Sequence, residues 1–268
     1  MSAMNMIIPH LQPLSRCRLV QRYDRFIYDV ELEGGEVVKT HCVNPGRMEG
    51  LVRPGTTAWI SAAPPNSKRK LKWTLELLEL DGRYVGANTV VPNRIAESLV
   101  RARLIPGLKR WREVRREVPY GNRSRIDLML SSGKSEHLVE VKNCHLVYPD
   151  HRAYFPDSVS ERAAKHLREL AEQTSQGRRA TVLFVLQRTD GKSLRPSRLH
   201  DPAFAEAATA AAAAGVRFRA AQIDPTPAGY HFIGMIPVDL KDYDPTDVEP
   251  YRDALKAYSG WKRRGKVT

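Results

Sequence analysis

Asp127, Glu140 and Lys142 are the residues of this chain whose types and spacing could do chemistry. They lie in RIDLMLSSGKSEHLVEVK (125–142), where 125–130 and 137–142 read as strands and 131–134 as the turn between them. A hairpin centred on Gly133 and Lys134 sets Asp127 directly across from Glu140. Opposed residues of an antiparallel pair bring their Cβ atoms to roughly 4.5–5.5 Å. Two carboxylates that close repel unless a cation lies between them. Magnesium, or manganese in its place, suits such a position because it takes one or two carboxylates and keeps several waters. Strand alternation puts Lys142 on the face of Glu140. Two acids and an ammonium converging on one spot have the makings of a metal-dependent phosphodiester-cutting centre. The bland reading is a half-exposed hairpin with polar residues in water.

Composition narrows the partner. The 268 residues include 43 Lys and Arg against 30 Asp and Glu, a formal net charge of +13. Such an excess favours a polyanion, most simply DNA, with RNA as the other choice, through counterion release at phosphates. At 42% apolar residues a folded core is expected and wholesale disorder is not. Cys17, Cys42 and Cys144 are odd in number and far apart, which points away from a disulfide framework or zinc site and toward a reducing cytoplasm. No apolar run approaches the roughly 20 residues that span a bilayer, and the first ten residues lack the features of a signal peptide. Oligomeric state is not legible.

The first third reads as short strands at 25–32, 37–43, 56–62, 71–80 and 84–88, an oligonucleotide-binding (OB-like) β-barrel. Then come a helix at 93–102, an extended segment at 113–118 and the hairpin. A helix at 159–176 has a capping box of Ser158 and Glu161 and a buried stripe of Val159, Ala163, Leu167 and Leu170. A buried strand at 179–187 precedes an alanine-rich helix capped by Asp201 and begun by Pro202, and a last strand spans 216–223. This order is α/β with the hairpin at its centre. The domains expected are a barrel at 12–88, an α/β unit at 89–240, and a tail at 241–268 that ends in the basic KRRGK (262–266).

Several stretches together resemble the sugar fermentation stimulation protein A family: QRYDRF (21–26), HCVNPGRM (41–48), SKRK (67–70), ANT (87–89), YGNRSRID (120–127), EVK (140–142) and YFPDSVSERAAKHL (154–167). The resemblance covers about residues 12–240. It implies an α+β/α/β chain of two domains, an N-terminal OB-like barrel followed by a PD-(D/E)xK nuclease-like α/β domain. It also implies DNA binding and a link to regulating sugar utilisation genes. In that nuclease pattern Asp127 and Glu140 match the metal-binding acids and Lys142 the lysine that polarises the attacking water. The chain departs from the family with Pro45 in place of the usual threonine and with Asn143-Cys144-His145 after Lys142.

Nuclease sites of this type often take a further acid from the preceding helix, and Glu97 is the candidate, with Glu117 its rival. Lys68, Arg69, Lys70, Arg125, Arg162 and Lys165 are the candidate nucleic-acid contacts, against the reading that each is a solvated surface charge. His166 could equally pack in the core, and Trp73 could stack a base or fill the barrel. Two functions stand: a DNA-binding protein with a magnesium-dependent endonuclease site, and a non-enzymatic DNA-binding regulator in which the acid pair is structural.

Overall fold

The computed structural model describes residues 6–120 and 124–263. Residues 121–123 of the YGNRSRID stretch and residues 264–266 of the basic KRRGK run lie outside the described residues.

Strand β1 (Ile7–Ile8) precedes the barrel strands β2 (Leu14–Tyr23), β3 (Ile27–Leu32), β4 (Val37–His41), β5 (Thr57–Ala62), β6 (Trp73–Leu80) and β7 (Arg83–Gly86). Their order in the sheet is β4-β3-β2-β5-β6-β7. A parallel pairing of Thr40 with Trp73 and His41 with Thr74 joins β4 to β6 and closes the barrel over five strands. Closure removes the free edges that an open sheet would leave. The barrel holds its own core of Tyr28, Val30, Ile60, Leu75 and Leu78, with Met48 plugging the end and Trp73 packed at its margin. Trp73 is therefore chiefly a packing residue. The strand at 14–23 was not expected from the sequence, whereas the other five lie where the alternation placed them, with shorter ends.

The second unit runs α1 (Val91–Arg101), β8 (Glu113–Tyr120), β9 (Ser124–Ser132), β10 (Ser135–Cys144), β11 (Leu146–Val147), β12 (Arg152–Phe155), α2 (Glu161–Ser175), β13 (Arg179–Leu186), β14 (Ser193–Pro196), α3 (Pro202–Ala213), β15 (Arg217–Thr226) and β16 (Gly229–Ile236). Its main sheet has the order β1-β16-β15-β13-β10-β9-β8, with β10, β13 and β15 parallel at the centre. Central parallel strands are covered on both faces and so read as continuous apolar runs. In β13, every residue from Ala180 to Leu186 is buried. One face packs on α1 through Ile95 and Leu99. The other packs on α2 and α3 through Leu167, Leu170, Phe204 and Ala208.

Helix α3 begins as expected, with the Asp201 carboxylate accepting from Phe204 N at 3.0 Å and Pro202 in the first turn. Helix α2 corrects the sequence reading. Its cap is Ser160, whose hydroxyl accepts from Ala163 N at 3.3 Å, and not Ser158. Val159, expected in the buried stripe, precedes the helix and is 72% exposed. Ala163, Leu167 and Leu170 keep their places in the core.

Two close approaches fix the barrel against the second unit. A Cβ on Gly46 would lie 2.6 Å from Asp157 Oδ1, and Met48 N donates to Asp157 Oδ2 at 3.0 Å. Gly86 N donates to Gln187 O at 2.9 Å, where a Cβ would meet Gln187 Oε1 at 2.5 Å. The C-terminal segment, with helix α4 (Glu249–Leu255), returns to the barrel: Val52 N donates to Tyr258 O and Asp24 N to Lys262 O. Among the described residues no helix is long and apolar enough to cross a membrane.

Candidate metal centre and its basic cavity

Strands β9 and β10 pair in the register that the sequence predicts. Ser132 faces Ser135, and the ladder runs to Leu128 opposite Val139. One further step would pair Asp127 with Glu140, and there the backbone ladder ends. Val141 N donates instead to Asp127 Oδ2 at 2.7 Å, so a side chain takes the place of a strand carbonyl. Strand β9 peels toward β8, while β10 continues along β13 with Glu140 beside Val182 and Lys142 beside Phe184. The strands part where the acids sit, which opens a cavity of about 830 Å³ onto them.

The acids are held differently. Asp127 Oδ1 accepts from Asn93 Nδ2 of α1 at 2.8 Å. Burial, and then the neighbouring Glu140, push its carboxyl up to about 6. Glu140 is 3% exposed. Its Oε1 accepts from Lys142 Nζ at 2.7 Å and lies 2.6 Å from Nδ1 of His166. Burial pushes this carboxyl up, but the Lys142 ammonium and the His166 contact outweigh it and the net direction is down. An ionised carboxylate only accepts, so the Nδ1 proton of His166 points at it. Among the described residues Glu140 Oε2 is buried with no hydrogen-bond partner. Tyr120 Oη behind it is also buried and unpartnered, and its phenol is held up by burial and by Glu140, Glu169 and Asp127.

An orphaned carboxylate oxygen beside an acid that resists ionisation is what a missing positive charge leaves behind. A divalent cation ligated by Asp127 and Glu140 would remove both defects, and the all-oxygen donor set suits magnesium, manganese or calcium. Among the described residues no group of three or more His, Cys, Asp or Glu side chains is placed to hold a metal ion. Water would therefore complete the shell, as magnesium tolerates.

Arg125, Arg162 and Lys165 line this cavity with the acids, joined by Arg168. The rival acid Glu117 also lines it. Glu97 does not. It pairs with Arg101 one turn on at 2.8 Å and with Arg116 at 3.7 Å. The expectation of an acid from the preceding helix is thus corrected. The first turn of α1 reaches the hairpin, and it delivers the neutral Asn93. Lys68, Arg69 and Lys70 are also apart from the acids. They occupy the loop between β5 and β6, where Arg69 Nη2 donates to Thr74 Oγ1 at 2.8 Å and borders a separate cleft. Sequence reasoning left His166 undecided and missed Asn93. His166 follows Ala163 by three residues and precedes Leu170 by four, so the buried stripe of α2 already marked it.

The fold and site define a class: an oligonucleotide-binding barrel joined to an α/β domain whose central sheet opens a basic cavity onto two acids. The comparisons with known proteins agree. The SfsA N-terminal OB domain matches residues 20–87 and the sugar fermentation stimulation protein RE domain matches residues 90–229. This chain belongs to the sugar fermentation stimulation protein family. A homolog from Allorhizobium ampelinum is 42% identical over 229 residues, covering 85% of this chain and 97% of its own length. One from Maricaulis maris is 46% identical over 217 residues, covering 80% and 92%. The solved structure of Pyrococcus furiosus SfsA in complex with Ca2+ is 26% identical, with a TM-score of 0.79 over 87% of this chain and 99% of that one.

Proposed function

We propose that this protein binds DNA and hydrolyses its phosphodiester bonds with magnesium or manganese held between Asp127 and Glu140. The observation that carries the reading is Glu140 Oε2, buried without a partner at the floor of a cavity lined by Arg125, Arg162 and Lys165. The calcium in the Pyrococcus furiosus relative supports a divalent cation in this family. Such a cation, when bound, supplies Lewis-acid polarisation of a phosphoryl oxygen and a lowered pKa for bound water.

The protein's own groups do the rest. Asn93 Nδ2 and Val141 N fix the plane of the Asp127 carboxylate. His166 and Lys142 hold Glu140 by one oxygen and leave the other presented. The Lys142 ammonium stabilises negative charge as it grows on the phosphate and orients the attacking water. The cavity arginines and lysine grip the flanking phosphates, which sets register without reading sequence.

The test incubates purified protein with single- and double-stranded DNA and with RNA, with and without magnesium or manganese, beside Asp127→Ala and Glu140→Ala. Cleavage is expected to need the metal and to fall at least about a thousandfold in either variant. DNA affinity should stay within about threefold. Parallel loss of binding and cleavage in Glu140→Ala would remove its metal-holding role.

One observation favours a second reading. Lys142 and His166 already compensate Glu140 internally, which a non-enzymatic DNA-binding regulator would also need. That reading expects salt-sensitive binding indifferent to magnesium, and no cutting.

A further inference from the structure

We propose that the cleft between the barrel and α1 is a subsite for one unstacked nucleobase, guanine in preference to thymine, and that Glu76 reads its Watson–Crick edge. The inference rests on the nucleic-acid reading above and adds a base preference to it. Three of the stretches that mark the family meet in this cleft and not at the acid pair. His41 and Val43 come from HCVNPGRM, Arg69 from SKRK and Asn88 from ANT.

Glu76 forms part of the floor and is 8% exposed. Its Oε1 accepts from Ser61 Oγ at 2.7 Å and its Oε2 from Asn88 Nδ2 at 2.9 Å. Both donors are neutral, and among the described residues no salt bridge reaches Glu76. A carboxylate oxygen has two lone-pair sites, so each still has one to offer. Arg69 and Arg94 line the same cleft without forming an ion pair with Glu76, and a nearly buried carboxylate held only by neutral donors gains from a ligand that brings further N–H donors.

The edge of guanine carries N1–H and the N2 amino group side by side and can meet both oxygens. Thymine offers a single donor, N3–H, and sets a carbonyl oxygen on either side of it against the carboxylate. The cavity is about 430 Å³, with the ring of His41 and the side chains of Val90 and Val91 as flat and apolar walls, while the Tyr230 ring is buried beneath His10 and Arg94. Single-stranded bases rest on such walls. Arg69 at the rim, with Lys68 and Lys70 on the same loop, supplies charge for the backbone phosphates. Asn88 links the two sites. Its Oδ1 accepts from Val90 N at the start of α1, and Asn93 in the first turn holds Asp127. A strand with its base in the cleft is thereby led along the start of α1 toward the acid pair.

The test is fluorescence anisotropy of the full chain with a short oligothymidylate carrying one central guanine, hypoxanthine or thymine. Guanine is expected to bind about tenfold tighter than thymine, with hypoxanthine, which lacks the N2 amino group, between them. In Glu76→Gln, with folding checked by thermal denaturation, the guanine-to-thymine ratio should fall to near one. Equal affinity of the wild type for all three oligonucleotides overturns the subsite and leaves DNA binding standing. A ratio unchanged in Glu76→Gln overturns the role of Glu76. If the variant does not fold, the hypoxanthine comparison in the wild type decides alone. Failure to bind any of the three would sink the nucleic-acid reading itself.

Discussion

Glu76 and Glu140 are both buried carboxylates that border clefts, and they are compensated in opposite ways. Glu76 spreads its load: each oxygen takes one neutral donor, Ser61 on one side and Asn88 on the other. Glu140 puts its load on one oxygen. Lys142 and His166 both meet Oε1, Oε2 is left bare, and Asp127 stands nearby with a carboxyl that burial and Glu140 hold up. The first arrangement satisfies every oxygen with neutral groups and leaves the charge for a ligand's donors. The second arrangement leaves an oxygen open to a cation, a water or another donor. Burial alone therefore does not set the two carboxylates apart; the asymmetry of the donors, together with a second acid close by, does.

The largest effect that would sharpen this contrast comes from Lys142→Met. Removing one partner of a buried ion pair costs about 3 kcal/mol, because the remaining charge is left uncompensated. In urea denaturation with chelator present, the variant should lose roughly that much, and added magnesium should restore part of it. Cleavage should fall about a hundredfold or more. The matching change at the other carboxylate, Ser61→Ala, should cost about 1.5–2 kcal/mol, the low end for one hydrogen bond to a charged group. Equal costs would erase the distinction between the two sites.

The next effect is a pH dependence of opposite sign at the paired acids. The Asp127 carboxyl is held at about 6 in the folded chain against an ordinary value of 3.8. Between roughly pH 4 and 6 the folded state keeps a proton that the unfolded state has released, so this group lowers stability as pH rises. Two units correspond to about 3 kcal/mol, reached above pH 6 and absent below about pH 4. Glu140 works the other way: its depressed carboxyl adds stability above the unfolded value, lost as pH falls through the folded one. Denaturation of metal-free wild type and Asp127→Asn should show the variant gaining on the wild type by about 2 kcal/mol between pH 4.5 and pH 7. Parallel curves would mean that burial and Glu140 together do not hold the Asp127 carboxyl up.

The sequence made the acid pair legible because a hairpin has one register once its turn is located, and Gly133, with φ +60, fixes the turn. It made β13 legible because a strand covered on both faces has no polar positions to confuse it. Strand β2 was hidden for the opposite reason. Its alternation is interrupted by a bulge between Leu19 and Gln21, and half of its residues are exposed. Strand β16 was hidden by glycines at 229 and 234, both at positive φ, within a strand that lies next to the two-residue edge strand β1. The start of α2 was misplaced by two residues because Ser158 and Ser160 are both competent caps, and the fold used the one whose following turn could bury Ala163 and Ala164. The partner from α1 was not legible at all. Asn93 and Glu97 lie one turn apart on the same side of the helix, and only the docking of α1 on β10 and β13 decides which meets the hairpin.

That choice yields the smallest and most discriminating effect. Asn93 donates to a buried carboxylate, so Asn93→Ala should cost about 1–2 kcal/mol and weaken divalent-cation binding, since the Asp127 plane is no longer held. Glu97 is engaged by Arg101, itself half exposed, and by Arg116 at the surface, and pairs of that kind contribute about 0.2–1 kcal/mol. Glu97→Ala should therefore leave calcium binding, read by titration calorimetry, unchanged within error, and shift the melting temperature by no more than a degree or two. A loss of calcium affinity in Glu97→Ala larger than in Asn93→Ala would put an acid from α1 at the metal after all, and would require the helix to turn its second turn toward the hairpin when the cation binds.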